Sequence, residues 1–322
     1  MQNPAEAVTP TPPIVVRLRC ADQFTHVALM GYLLNKNLGQ PLGDVSSELP
    51  KHNSDGLPVI DLTDEQKYLF DKDGWILMEG VLSGSELDEM REFAMQLKHD
   101  PESLPKHEKS PLAPPLQSLL DHPLVVGFLN HFTAYPPLSS QECYGFATGG
   151  SHLLYRTAGE GNFGPHNGNG MFRFPEDVHY YEAYAGRAYC PHTRFAWELN
   201  PVKEGQGGTL LVTGSHKAAY TAPPDIQDPA SSVWSTYSCP AGSLLIFAEA
   251  TTHSGTKWTD EEFDRIPIFN LYNPVDSGWA PRQRPHPKLL EEMPPLRRSL
   301  FRPRHVVDNV GEKDFRRLYN NL

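Results

Sequence analysis

The sequence predicts a mainly β domain, a barrel or sandwich, entered through several helices. Three observations predict it. Between about residues 140 and 275, short apolar or aromatic runs recur between Gly and Pro clusters, at 144–147, 153–156, 193–199, 209–213, 243–248 and 266–272. Ahead of them the apolar spacing is helical instead. The 322 residues are 39% hydrophobic and 21% charged, which is ordinary globular usage and enough for a sizeable core.

In chain order, residues 1–60 carry Pro4, Pro10, Pro12 and Pro13 and end on Gly56-Leu57-Pro58, which reads as an irregular N-terminal extension. Residues 61–322 read as one domain. Thr63-Asp64-Glu65-Gln66 has the form of an N-cap and first turn, and the helix it opens ends near Asp73-Gly74. A strand follows over 75–82. A second helix starts at Ser83, with Leu87, Met90, Phe93, Ala94 and Leu97 on one face. Residues 98–118 form a loop and 119–132 a third helix. The strand-rich core at about 140–275 comes next, and 276–322, dense in proline between Pro281 and Pro303, forms a wrap over its surface.

Charge and cysteine usage narrow the function. There are 28 Lys and Arg against 39 Asp and Glu, a net −11, and no dense basic run precedes 297–304, which argues against nucleic acid and acidic membranes as partners. Cys20, Cys143, Cys190 and Cys239 show no CxxC or zinc spacing, and no apolar leader follows the first Met, as expected of a reduced, cytoplasmic protein. No apolar run approaches the ~18–20 residues that span a bilayer.

Three segments hold the polar chemistry: Gly164-Pro165-His166-Asn167-Gly168, then Thr252-His253-Ser254-Gly255, then, about a dozen residues after His253, Asp264-Arg265-Ile266-Pro267. A histidine early in a barrel, a second after a late strand and an arginine beyond it resemble the Fe(II)/2-oxoglutarate-dependent oxygenases. Imidazole holds iron(II) and leaves positions open, and a fixed guanidinium pairs with a carboxylate through two parallel hydrogen bonds. Two further segments sharpen the resemblance to the phytanoyl-CoA dioxygenase family. One is Asp73-Gly74-Trp75 through Glu79-Gly80-Val81-Leu82; the other is Gly205-Gln206-Gly207-Gly208 leading to Thr213-Gly214-Ser215-His216-Lys217. Pro240-Ala241-Gly242-Ser243 before the strand at 243–248 matches that family too, so the likeness covers roughly 62–275.

The resemblance implies a double-stranded β-helix of jelly-roll or cupin type with N-terminal helices packed on one face. It further implies Fe(II) on His166 and His253, 2-oxoglutarate and O2 as co-substrates, and Arg265 on the distal carboxylate of 2-oxoglutarate. The reaction it implies is hydroxylation or a related oxidation of a small-molecule C–H bond. His216 reads as a residue that ties its loop down. The alternative for Arg265 is a surface ion pair with Asp260, Glu261 or Glu262.

The sequence departs from that family at Gly168, where most members carry the Asp of His-x-Asp. None of the 14 histidines is followed two residues later by a carboxylate. Three explanations follow. Glu249, four residues before His253, or Glu198, beside Trp197, supplies the missing ligand. Alternatively Gly168 leaves a position vacant for chloride, as in the iron-dependent radical halogenases that resemble this family. In the third, metal chemistry is lost and the barrel binds a ligand without turning it over. His152 and Tyr155, ahead of His166, are candidates for holding co-substrate. Tyr180, Tyr184 and Trp258 are candidates for lining a small-molecule substrate pocket. Oligomeric state is not legible in the sequence.

Overall fold

Thr63 opens the first helix as its neighbours dictate. Its side chain accepts from the Gln66 backbone at 3.1 Å while the Gln66 side chain accepts from the Thr63 backbone at 2.9 Å, a reciprocal cap on α1 (Asp64–Asp73). Gly74 ends the helix at φ 79°, and a Cβ there would also collide with His216 and Thr251. The computed structural model in which these contacts occur describes residues 49–167, 178–184, 186–220, 222–278 and 282–303. Most of the expected N-terminal extension, the expected vacant position Gly168 and the end of the expected wrap lie outside those residues.

Strand β1 (Trp75–Met78) is shorter than expected because the chain turns at Glu79-Gly80, Gly80 having φ 60°. Helix α2 (Gly84–His99) buries Leu87, Met90, Phe93 and Ala94, the face its spacing foretold. The third expected helix is two pieces, a 3-10 turn over Leu116–Asp121 and α3 (Pro123–Phe132). Proline drives His122 out of the helical region, to ψ 141°, and Pro123 then starts a new helix where its missing N–H costs nothing.

The runs at 144–147 and 153–156 belong to one strand, β2 (Phe146–Leu153), and its continuation, with a register shift between Thr148 and Gly150 where two glycines had suggested a break. A hairpin of β3 (Glu182–Tyr184) and β4 (Arg187–Tyr189) precedes β5 (Thr193–Glu198). There follow β6 (Leu210–Leu211), β7 (Ser243–Ala248), β8 (His253–Ser254) and β9 (Pro267–Pro274), then the short helices α4 (Pro287–Glu292) and α5 (Pro295–Arg298).

Five strands form one antiparallel sheet in the order β1-β7-β5-β9-β2. Side chains alternate across it, and the two faces serve two cores. Phe195, Trp197, Leu244, Ile246, Ile268 and Tyr272 pack against the helices with Phe70, Phe128 and Phe132. Ala196, Leu245 and Phe247 point the other way and pack with Val202, Leu211, Tyr237 and Trp258. Opposite that second face lie short pieces: β6 pairs with β8, Leu211 bridges to Ser235 and His166 bridges to His253. Among the described residues no strand pairing joins this layer to the sheet edges. The architecture is therefore a mixed α/β one with an antiparallel sheet faced by short segments, where a closed barrel was expected.

Residues 49–60 are more ordered than an irregular extension. Asn53 Oδ1 accepts from the backbones of Asp55 and Leu57, and Asp55 pairs at 2.5 Å with buried Arg297 of α5, which also reaches Asp121 at 2.7 Å. The C-terminal wrap is thereby fastened to the segment before α1. No helix among the described residues is long and apolar enough to cross a membrane.

Candidate metal and co-substrate site

The histidines picked out by spacing do meet. His166 and His253 exchange backbone hydrogen bonds of 3.1 Å in each direction, and their rings lie 4.2 Å apart. His166 is exposed and His253 buried. Nδ1 of His166 is 2.8 Å from the Gly164 carbonyl, and Nδ1 of His253 is 2.8 Å from the Thr251 carbonyl. A carbonyl only accepts, so each Nδ1 carries a proton, and Nε2 is the ring nitrogen each histidine can offer a metal. Burial pushes His253 down to about 4, against the opposing pull of Glu249, so it stays neutral at physiological pH.

Of the two carboxylates the sequence offered, Glu249 lies beside His253. It is 2% exposed, and its Oε2 stands 3.9 Å from His253 Nε2 and accepts from Asn167 Nδ2 at 2.8 Å. Oε1 is ion-paired with Arg194. Burial alone would raise the Glu249 pKa, but Arg194, His253 and His192 together hold it well below the carboxylate range, so it is an anion. Asn167 reaches it because its backbone is left-handed, φ 59°, with its carbonyl held by Thr252 Oγ1 at 3.0 Å. Two imidazole nitrogens and one carboxylate oxygen suit a divalent first-row metal with positions left open.

Glu198 lies elsewhere. It ends β5 fully buried, 2.5 Å from Nη2 and 3.4 Å from Nε of Arg265, and accepts from Tyr237 at 2.7 Å. Arg265, 1% exposed, also donates to Thr209 at 3.1 Å and to the Gly207 carbonyl at 3.3 Å. The surface ion pair considered for Arg265 does not form; Asp260 pairs with Lys203 instead. Burial works against the charged guanidinium, but Glu198 and Tyr237 outweigh it and keep the cation.

His152 and Tyr155, paired in the sequence reading, separate. His152 sits opposite Phe269, which faces the site side of the sheet. Tyr155 packs on the helical side, its ring 4.9 Å from His99 and its hydroxyl on Asp264 at 2.5 Å, so the structure gives it no place near the histidine pair. An odd difference in position reverses the face of a strand. Trp258 is fully buried in the second core and donates to the Phe263 carbonyl, which makes it a wall rather than an exposed contact. Tyr180 is half-buried near Tyr189, and Tyr184 is placed only as backbone in β3. His216 binds the Asp71 carbonyl at 3.0 Å and packs on Tyr181, the tie its motif suggested.

Sequence reasoning missed Asn167 and Arg194 as neighbours of Glu249. Nothing in an isolated Asn or a strand Arg signals such a contact. A further group is not legible in the sequence: His179, His192 and Glu249 each present a ligand atom within 4.8 Å of the other two.

The chain matches no protein-family model and no curated protein. Among solved structures it is similar to HygX from Streptomyces hygroscopicus. With nickel and 2-oxoglutarate bound, that protein superposes with a TM-score of 0.55 at 20% identity, over 69% of this chain and 90% of HygX. The HygX complex with nickel, 2-oxoglutarate and hygromycin B gives 0.53 at 20% identity over the same shares, and the iron-bound form gives 0.52 at 20% over 70% and 90%. At this identity the likeness is one of fold.

Proposed function

We propose that this protein is an Fe(II)- and 2-oxoglutarate-dependent oxygenase acting on a small molecule, with iron held by His166, His253 and Glu249. The observation that carries the reading is the buried Glu249 beside His253, whose ring meets that of His166, with Nδ1 of each imidazole on a backbone carbonyl so that Nε2 is the nitrogen left to a metal. The fold shared with HygX, a protein crystallised with iron and with 2-oxoglutarate, supports it.

Bound iron with 2-oxoglutarate and O2 would supply an oxidant able to attack an unactivated C–H bond. The chain's own residues do the rest. Gly164 and Thr251 carbonyls fix the two imidazole tautomers, and Asn167 aims the Glu249 carboxylate. Arg265 offers the distal carboxylate of 2-oxoglutarate a cation. Its Nε and Nη2 are engaged by Glu198, so Nη1, whose partner is the Gly207 carbonyl, is the group that would meet the co-substrate carboxylate. With Glu249 present, a missing carboxylate no longer calls for chloride, and hydroxylation or a related oxidation is preferred over halogenation.

The test is anaerobic titration with Fe(II) and 2-oxoglutarate, read by the metal-to-ligand charge-transfer band. A band in the unaltered protein that is lost in Glu249→Ala and His253→Ala supports the reading. Absence of a band in the unaltered protein leaves a ligand-binding fold without this chemistry. A chloride-dependent shift of the band would restore the halogenase reading.

A further inference from the structure

We propose a second site for a divalent transition metal, formed by His179, His192 and Glu249. Three observations support it. First, the ligand atoms of His179, His192 and Glu249 all lie within 4.8 Å of one another. Metal–nitrogen bonds of roughly 2.0–2.1 Å need donors somewhat closer than that, a shift of about an ångström that side-chain rotation supplies. Second, His192 is 2% exposed, and neither of its ring nitrogens has a hydrogen-bond partner among the described residues. Buried polar atoms are nearly always paired, and an imidazole sealed from water with both nitrogens unpaired is what a metal ligand looks like without its ion. Third, the backbone sets the geometry. The Glu249 N–H donates to the His192 carbonyl at 2.9 Å, which holds the start of β5 against the end of β7, and the His179 ring lies 4.6 Å from that of His192.

Two imidazoles and a carboxylate suit zinc or cobalt(II), with a fourth position left to water. Arg194, the present counter-charge of Glu249, has a side chain 28% exposed, so solvent can take over its charge when a metal replaces it. The site shares Glu249 with the proposed iron site but does not depend on iron binding there.

The experiment uses the full chain carrying His166→Ala and His253→Ala, titrated with Co(II) and followed by its visible d–d absorbance and by metal analysis after gel filtration. Far-UV circular dichroism and the thermal transition confirm that each variant is folded. The expected result is about one equivalent of Co(II), with affinity falling tenfold or more when His192→Ala is added. A folded double variant that binds no Co(II), or a triple variant that binds as well as the double, overturns the proposal. The charge-transfer band of the unaltered protein with Fe(II) and 2-oxoglutarate reports separately on the proposed function, so either can fail alone.

Discussion

Asn167 shows how much a single residue can decide. It holds Glu249 Oε2 at 2.8 Å from a left-handed backbone position, so Asn167→Ala should leave the fold intact yet weaken iron(II) binding about 10-fold to 100-fold, as loss of an orienting partner does, measured by the anaerobic titration. Glu249→Ala should weaken it further. Adding Gly168→Asp to that variant should recover part of the binding, because it restores the family's spacing of histidine and carboxylate; no recovery would mean that the carboxylate must come from position 249. Acid sensitivity also belongs to this scale. Burial pushes His122 and His216 down to about 4, well below the ordinary 6.5. Between those values the unfolded chain binds protons that the folded one refuses, so stability rises with pH across that window and is lost as pH falls from about 6.5 toward 4. Each group contributes a slope of up to about 1.4 kcal/mol per pH unit. Urea midpoints measured at pH 4.5 and 7 should differ, and His216→Asn should reduce the difference.

At the level of elements, the best-read parts are those whose signal is local. The Thr63 cap, the Gly74 stop and the buried stripe of α2 need only neighbours a few residues away. Pro123 marks a helix start that the apolar run over 119–132 masks, and Gly149-Gly150 reads as a break where the sheet accommodates a bulge. The β3–β4 hairpin gave no strand signal, since its six residues are mostly polar or aromatic and one strand packs on little more than the other. The resemblance singles out Arg265 by its distance from His253, but neither its burial nor its partner is legible in the sequence. Glu198 meets it only because β5 and β9 lie side by side in register. That pair makes a prediction for the strand. Glu198→Ala and Glu198→Gln each leave a guanidinium buried without a counter-ion, so each should cost about 3–5 kcal/mol in urea unfolding. A small loss in Glu198→Gln alone would mean that Arg265 depends on the shape and hydrogen bonding of that side chain and not on its charge.

For the molecule as a whole, the proposed metal ligands could be named from the sequence, but the reason His166 and His253 meet could not. His166 and His253 come together because a layer of very short segments lies across the second face of the sheet, and segments of two residues have no periodicity to read. The two cores on either side of that sheet lead to a further expectation. Trp197, fully buried on the helical face, can be truncated to Ala at a cost of about 3–5 kcal/mol while the opposite face keeps its side chains, so the variant's metal affinity should change much less than its stability. Iron titration at 10 °C beside urea unfolding would check this, and parallel losses would show that the faces are not independent. The strand order also bears on how the protein is made. Trp75 pairs with Phe247, and Arg297 reaches back to Asp55, so the first strand leaves the ribosome long before its partner exists. A sheet assembled from such distant pieces is slow to form, and meanwhile the apolar Trp-Ile-Leu-Met stretch is open to other chains. Yield of soluble protein should therefore depend on slowed synthesis or on chaperones that shield nascent strands, a dependence set by topology and independent of the metal site.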